Sequence, residues 1–267
     1  MTLSFHYALR PLGGLMLATL LAACASGPKD HVSLIPAGQI AQESSKDGVF
    51  TQPRKWERKA PGCEGQCPTI TLDSLVFPGN PKLTQWVDEG LAQMTTLWQD
   101  PPPDYTNLAG FEAYFWRTAA PKDSAVLAAK ARYRSQGLTV IELNTWQYIT
   151  GAAHGIPATR FINWDNRTDQ LITLKDILLP GQAGAYEAAL RQAHAAWQSQ
   201  QPDAQLDMQQ FKRLWPFQLT DNFALTDTGL VVKYDAYAIA PYSSGQPELL
   251  IPYSALQGVL KPEYLPQ

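Results

Sequence analysis

Ala129-Lys130-Ala131-Arg132-Tyr133-Arg134-Ser135-Gln136-Gly137-Leu138-Thr139-Val140-Ile141 reads as two β-strands and the turn between them. Ala129, Ala131 and Tyr133 alternate with Lys130, Arg132 and Arg134, the pattern of a half-buried strand with a basic outer face. Ser135-Gln136-Gly137 supplies the turn, and Leu138 to Tyr148 continues as a second strand rich in branched and aromatic residues. A link this short joins antiparallel neighbours.

Outward from this hairpin, strand and helix signals alternate without a repeat. Upstream, Ile70, Leu72, Leu75 and Val76 mark a strand that ends at Pro78-Gly79. Asn80 then stands as an N-cap before Pro81 at the first helical position. Leu83, Trp86, Val87, Leu91, Met94, Leu97 and Trp98 recur at helical spacing, so one face of a helix over 81–98 is expected to be buried. Pro101-Pro102-Pro103 stops it. Downstream, strands are expected at 158–164 and 171–174, on either side of the turn-forming residues 165–169. A second helix runs over 185–200 with Tyr186, Leu190, Ala193 and Trp197 on one side, and His194 beside that stripe reads as a surface residue. Leu230, Val232 and Tyr234 alternate with Lys233 and Asp235, and Leu249-Leu250-Ile251 forms a last strand. The expectation is an α+β fold, a mainly antiparallel sheet packed against two principal helices. It forms one domain over 61–267, with an N-terminal half at 69–150 and a C-terminal half at 151–267.

The first residues set the compartment. Arg10 is the one charge before the apolar run from Leu12 to Leu21, and no acid precedes Asp30. The run is shorter than the roughly 20 residues a spanning helix needs, so 1–23 reads as a secretory signal and stays outside the fold. Leu21-Ala22-Ala23-Cys24 resembles the bacterial lipobox, which implies cleavage before Cys24 and acylation of its thiol. Two or more acyl chains make a stable membrane anchor. Ala25 is not the acidic residue associated with retention at the inner membrane, which implies an outer-membrane lipoprotein facing the periplasm where the cell has two membranes. Residues 24–60, rich in Gly, Ser, Pro, Lys, Asp and Gln, read as the acylated cysteine and a flexible tether with a reach on the order of 35 Å.

Without 1–23 the chain keeps 244 residues and a charge of −4, with 20 bases against 24 acids. That excludes the concentrated basic face of a nucleic-acid binder. Cys63 and Cys67 flank Glu64-Gly65-Gln66, and in an oxidising compartment they read first as a disulfide worth about 2 kcal/mol. A redox pair usually has two intervening residues, and a metal site needs more ligands close by. No cofactor or metal is expected.

Two segments are candidates for function. Tyr148-Ile149-Thr150-Gly151-Ala152-Ala153-His154-Gly155 is a tight connection after a strand, with glycines at 151 and 155 for backbone angles or approaches closed to other residues. His154 there pins the loop, touches a ligand, or acts as a base; the last role needs a nucleophile, orienter or metal at a spacing the sequence does not show. Tyr237-Ala238-Ile239-Ala240-Pro241-Tyr242-Ser243-Ser244-Gly245 offers two tyrosines between strands, suited to recognition or to packing a β-connection. Tyr148, Gly151, His154, Gly155, Tyr237, Pro241 and Tyr242 are the candidate binding residues. No catalytic residue is assigned, since nucleophile elbow, metalloprotease, phosphate-loop and dinucleotide patterns are all missing.

Residues of roughly 69–260 resemble the extracytoplasmic domain of RsiV-type anti-sigma factors and of the N-terminus of PdaC-type peptidoglycan deacetylases. The resemblance rests on three segments: Tyr148 to Gly155, Leu171-Ile172-Thr173-Leu174-Lys175-Asp176-Ile177-Leu178, and Gly229-Leu230 through Tyr237–Gly245 to Ile251-Pro252-Tyr253. Phe77-Pro78-Gly79 and the following helix look like the family's N-terminal half. The family's Gly-Gly-Ala-His-Gly stands here as Gly151-Ala152-Ala153-His154-Gly155, a stiffer version. The resemblance implies an α+β envelope domain that, in RsiV-type members, binds lysozyme. It carries neither the anti-sigma segment nor the deacetylase domain over to this chain. The expected function is non-catalytic binding of a lysozyme-like muramidase or a peptidoglycan fragment; the alternative is a periplasmic hydrolase of cell-wall material that uses His154.

Overall fold

A computed structural model describes residues 51–97 and 99–266, together with the two strand residues Ile35–Pro36. The signal segment 1–23, Cys24 and the rest of the tether up to residue 50 lie outside the described residues.

The large sheet is built from β2 (Gln52–Lys59), β3 (Thr69–Val76), β4 (Ser124–Arg134), β5 (Leu138–Tyr148), β6 (Ile156–Asp165) and β7 (Gln170–Leu171), in that spatial order. Every neighbouring pair is antiparallel except β3–β4, whose parallel pairing is made possible by a crossover through α1 (Pro81–Met94) and α2 (Leu108–Thr118). The short strand β1 (Ile35–Pro36) pairs with the last two residues of β4. The C-terminal part adds α3 (Leu174–Ile177), α4 (Ala183–Gln198), α5 (Pro202–Leu206) and α6 (Met208–Leu214). It closes with a small antiparallel sheet of β8 (Phe223–Leu225), β9 (Gly229–Lys233) and β10 (Glu248–Pro252) in the order β10-β9-β8. The fold is α+β, as the patterning implies.

The large sheet lies between two cores. On one face Ile70, Leu72, Leu127, Ile141, Leu143, Ile162 and Trp164 pack against Leu83, Val87 and Leu91 of α1 and Phe111 of α2. On the other, Leu138, Val140 and Phe161 meet Tyr186 and Leu190 of α4 and Leu230, Val232, Leu249 and Ile251 of the small sheet. The period-2 alternation along β5 thus feeds both cores, even positions one way and odd the other. Because β5 and β6 pair from Leu138↔Asp165 to Gln147↔Ile156, the expected halves 69–150 and 151–267 share one sheet and are not separate structural units.

Four expectations need correction. The tether does not reach residue 60. Gln52–Lys59 pairs along its whole length with β3, and its outer edge is guarded by Arg54, Lys55, Arg58 and Lys59, charges that discourage pairing with another chain. The basic outer face of β4 ends at Lys130, because a β-bulge between Ala131 and Tyr133 shifts the phase by one residue. Tyr133 therefore joins the core with α4, Arg134 is fully buried, and Arg132 turns into an ion cluster. The expected strand at 171–174 stops at Leu171; Leu174 instead opens the one-turn helix α3, where Thr173 and Asp176 form a capping box. His194 is not a surface residue but 4% exposed, between Trp197 and Phe217, since the chain after α6 folds back over α4. On α1, the Asn80 side chain accepts from the Leu83 amide at 2.9 Å with Pro81 at the start, as the capping pattern implies.

Two polar devices hold the layers together. Glu142 on β5 receives Arg132 from β4 and Lys233 from β9, and both bases also reach Glu248 on β10 at 3.3 and 3.1 Å. Burial alone would raise the Glu142 carboxyl; the bonds from Lys233 and Arg132 outweigh it and hold its pKa below the ordinary value. Beside it, β6 has no strand partner beyond Thr159 and Phe161, and side chains take that place. Asp235 accepts from the Thr159 amide at 2.7 Å. Asn222 accepts from the Phe161 amide at 2.7 Å while donating to the carbonyls of Thr159 and Lys233 at 3.1 and 3.0 Å. From the other direction, Asn163 donates to Phe223 O and accepts from the Leu225 amide.

Candidate functional site

The two loops singled out in the sequence converge at one end of the large sheet. Register fixes which end: Lys59, Thr69, Ser124, Tyr148 and Ile156 lie there, and Gln52, Val76, Arg134 and Thr139 lie at the other. Cys63 and Cys67, bonded to each other with their Cα atoms 5.8 Å apart, sit in the β2–β3 connection at the same end as the loops.

The connection after β5 is fastened at its start, where the Thr150 amide donates to Asp123 Oδ1 at 2.7 Å. Gly151 then takes φ +94°, a region that side chains disfavour, while Ala152 does not, so the alanine after it carries no such strain. Gly155 is required for space. A Cβ there would lie 2.1 Å from the Trp146 indole, which packs directly on the glycine. This draws Trp146, and Tyr148 stacked on it at 6.3 Å, to the edge of the cluster.

His154 is held on every side. Its Nδ1 lies 3.0 Å from Gly155 O and its Nε2 lies 3.1 Å from the Tyr237 hydroxyl. A carbonyl only accepts, so Nδ1 carries the proton; in the neutral ring Nε2 then accepts from Tyr237. Gly155 O also accepts from the Tyr242 hydroxyl at 3.0 Å, and the Tyr242 ring stacks on the imidazole with centroids 4.0 Å apart. Pro241 precedes the 3-10 turn Tyr242–Ser244 that sets this ring.

Tyr237 is the unusual member. It adopts φ +68°, where a bulky side chain costs about 1–2 kcal/mol, and the residue remains 49% exposed. The ring lies 5.5 Å from Tyr242 and stacks against Trp215 at 6.4 Å. Trp215, at the end of α6, and Trp146 are the members that sequence reasoning missed. Tyr148 reaches the cluster only through Trp146, and the other candidates Gly151, His154, Gly155, Tyr237, Pro241 and Tyr242 are brought together. The result is a shallow face of aromatic rings, with the imidazole bonded to a hydroxyl and a carbonyl rather than to a carboxylate or a nucleophile. Among the described residues, no three His, Cys, Asp or Glu side chains gather as a metal site.

The α+β fold that carries this aromatic end is already represented among solved structures. A DUF3298 family protein from Pseudomonas aeruginosa is 40% identical over 82% of this chain and 97% of that one, with a TM-score of 0.74. A second DUF3298 member, from Bacteroides fragilis, shares the fold at 19% identity and a TM-score of 0.58, over 80% and 94% of the two chains. The family described as "Protein of unknown function (DUF3298)" also matches residues 175–254 directly. The chain belongs to the DUF3298 family. No curated protein matches it.

Proposed function

We propose that this chain is a cell-envelope lipoprotein, attached through Cys24, whose folded domain binds an envelope ligand without catalysis at the aromatic end around His154, Tyr237 and Tyr242. The observation that carries the reading is Tyr237. A glycine would occupy φ +68° at no cost, yet a tyrosine stands there, about half exposed. Local strain kept at an exposed aromatic is characteristic of a recognition site. The engagement of both His154 nitrogens favours a pinning role over a base, because the Nε2 lone pair is already taken by the Tyr237 hydroxyl.

The resemblance to RsiV-type domains makes a lysozyme-like muramidase the first candidate ligand. The exposed Trp146, with the half-buried Tyr148 stacked on it, supports a second, a peptidoglycan fragment, because flat ring faces pack well on the C–H faces of sugars. Calorimetry with the detergent-purified full-length chain against lysozyme and against muropeptides tests both. Saturable heat with one of them is expected, weakened at least tenfold by Tyr242→Ala and by Tyr237→Gly, the latter with unchanged or raised thermal stability. Silence with both ligands, or turnover of a glycan or amide substrate that disappears in a folded His154→Ala variant, overturns the reading. For the anchor, Cys24→Ser should abolish incorporation of a labelled fatty acid; continued labelling removes it.

A further inference from the structure

The turn that presents Tyr237 also borders a cleft. Asp235 and Ala238, on either side of Tyr237 in sequence, line a concavity of about 340 Å³ between the end of α1, the middle of β6 and the 218–222 segment. That volume lies within the range of small-ligand sites.

Its charges are not all committed. Lys233 is spent on Glu142 and Glu248, and one oxygen of Asp235 on the Thr159 amide. Arg160, by contrast, makes a 3.3 Å bond to the neutral Gln93 side chain and acts on the Asp235 carboxyl without an ion-pair contact, and Asp221 has neither an ion pair nor a side-chain hydrogen bond among the described residues. One cation and one anion without a contacting partner of opposite charge among the described residues therefore line the same space. Between them the lining is apolar: Leu97 and Leu219 are 50% and 58% exposed, where leucine gains nothing from water.

We propose that this cleft binds a short zwitterionic peptide, with its carboxylate on Arg160, its ammonium on Asp221 and an apolar side chain against Leu97 and Leu219. Volume, charge and apolar lining each constrain the ligand. The volume holds a molecule of dipeptide size, the two charges require opposite termini, and the leucines require an aliphatic residue between or beside them. The site is separate from the aromatic face and independent of what that face binds.

The probe is alanyl-leucine, titrated into the full-length chain by calorimetry or by NMR of the protein amides. Saturable binding is expected. N-acetylation of the dipeptide, or Asp221→Asn, removes one charge-assisted contact and should weaken binding about tenfold; amidation of its carboxylate, or Arg160→Gln, should do the same. The two halves must pair: acetylation should cost nothing further in Asp221→Asn, nor amidation in Arg160→Gln. Both substitutions are on exposed side chains, and an unchanged unfolding midpoint verifies the fold. Tyr237→Gly, which is expected to abolish the aromatic site, should leave dipeptide affinity within about twofold. Absence of saturation at millimolar dipeptide, or affinity indifferent to Arg160→Gln and Asp221→Asn, overturns the proposal.

Discussion

Asn222 is the side chain on which the contact between the two sheets depends most heavily. It gives both amide hydrogens and its carbonyl oxygen to three backbone groups on two elements: the Phe161 amide and the Thr159 carbonyl on β6, and the Lys233 carbonyl at the end of β9. Asn222→Ala removes three hydrogen bonds at about 1 kcal/mol each and leaves the groups on the β6 edge without partners, a loss of about 3 kcal/mol. In a domain of this size that lowers the melting temperature by about 6–12 °C. Urea denaturation followed by tryptophan fluorescence should show a lower midpoint at unchanged slope, the mark of lost stability in an otherwise intact fold. Asn222→Asp is the sharper test. It keeps the acceptor for Phe161 but places a carboxylate oxygen about 3 Å from two carbonyls, so at neutral pH it should be at least as damaging as alanine. The same repulsion raises the folded pKa of that carboxyl above its unfolded value. The folded state then binds the proton more readily, and the variant should recover stability as pH falls toward 4, where the alanine variant does not. A loss below about 1 kcal/mol for Asn222→Ala, or an aspartate variant insensitive to acid, would refute the idea that side chains replace a strand on β6.

Gly155→Ala should destabilise by about 1–3 kcal/mol, because its methyl group enters the Trp146 indole; a shifted tryptophan emission maximum and a lower melting point check it. Glu142→Leu leaves Arg132 and Lys233 facing each other with only Glu248 to balance them, and should cost about 3 kcal/mol at pH 7. Since the folded pKa of Glu142 is lowered, its contribution is complete above the ordinary carboxylate value of about 4.3 and is lost as pH falls through the folded value. The gap between wild type and variant in urea should therefore narrow in acid. Burial, and then the charges of Arg191 and Lys212, lower the pKa of His194, so its contribution is complete above about pH 6.5 and drains away as pH falls toward the folded value. His194→Phe should flatten the stability profile across that window. Mass spectrometry of non-reduced protein from the envelope should find Cys63 and Cys67 linked, and reduction should cost no more than about 2 kcal/mol.

What could be read from the sequence was what is written locally. The branched and aromatic run of β5, the Asn80-Pro81 start of α1 and the periodic stripe of α4 are each complete within a few turns or residues, and each was legible. The strand β2 was not. Its residues are almost all polar because it is an outer edge, and its composition matches that of a tether. The bulge at Arg132 has no composition signal at all, and a single unpaired residue was enough to send Tyr133 and Arg134 to opposite faces from those expected. Both functional loops announced themselves by their glycines and tyrosines, but their meeting through His154 and Tyr237 joins residues 83 positions apart. Trp215 and Trp146 enter the cluster only through that meeting. The amide bonds of Asn163 and Asn222 follow no periodicity, since one side chain stands in for a whole strand.

The two ends of the large sheet have different addresses. The chain enters β2 at Gln52, at the end remote from the aromatic face, and β2 alone rises about 24 Å before reaching the other end. Under the proposed anchor on Cys24, whatever holds the chain upstream of Gln52 would pull on the sheet at the end opposite the rings of Tyr237, Tyr242 and Trp215, leaving those rings clear of the attachment.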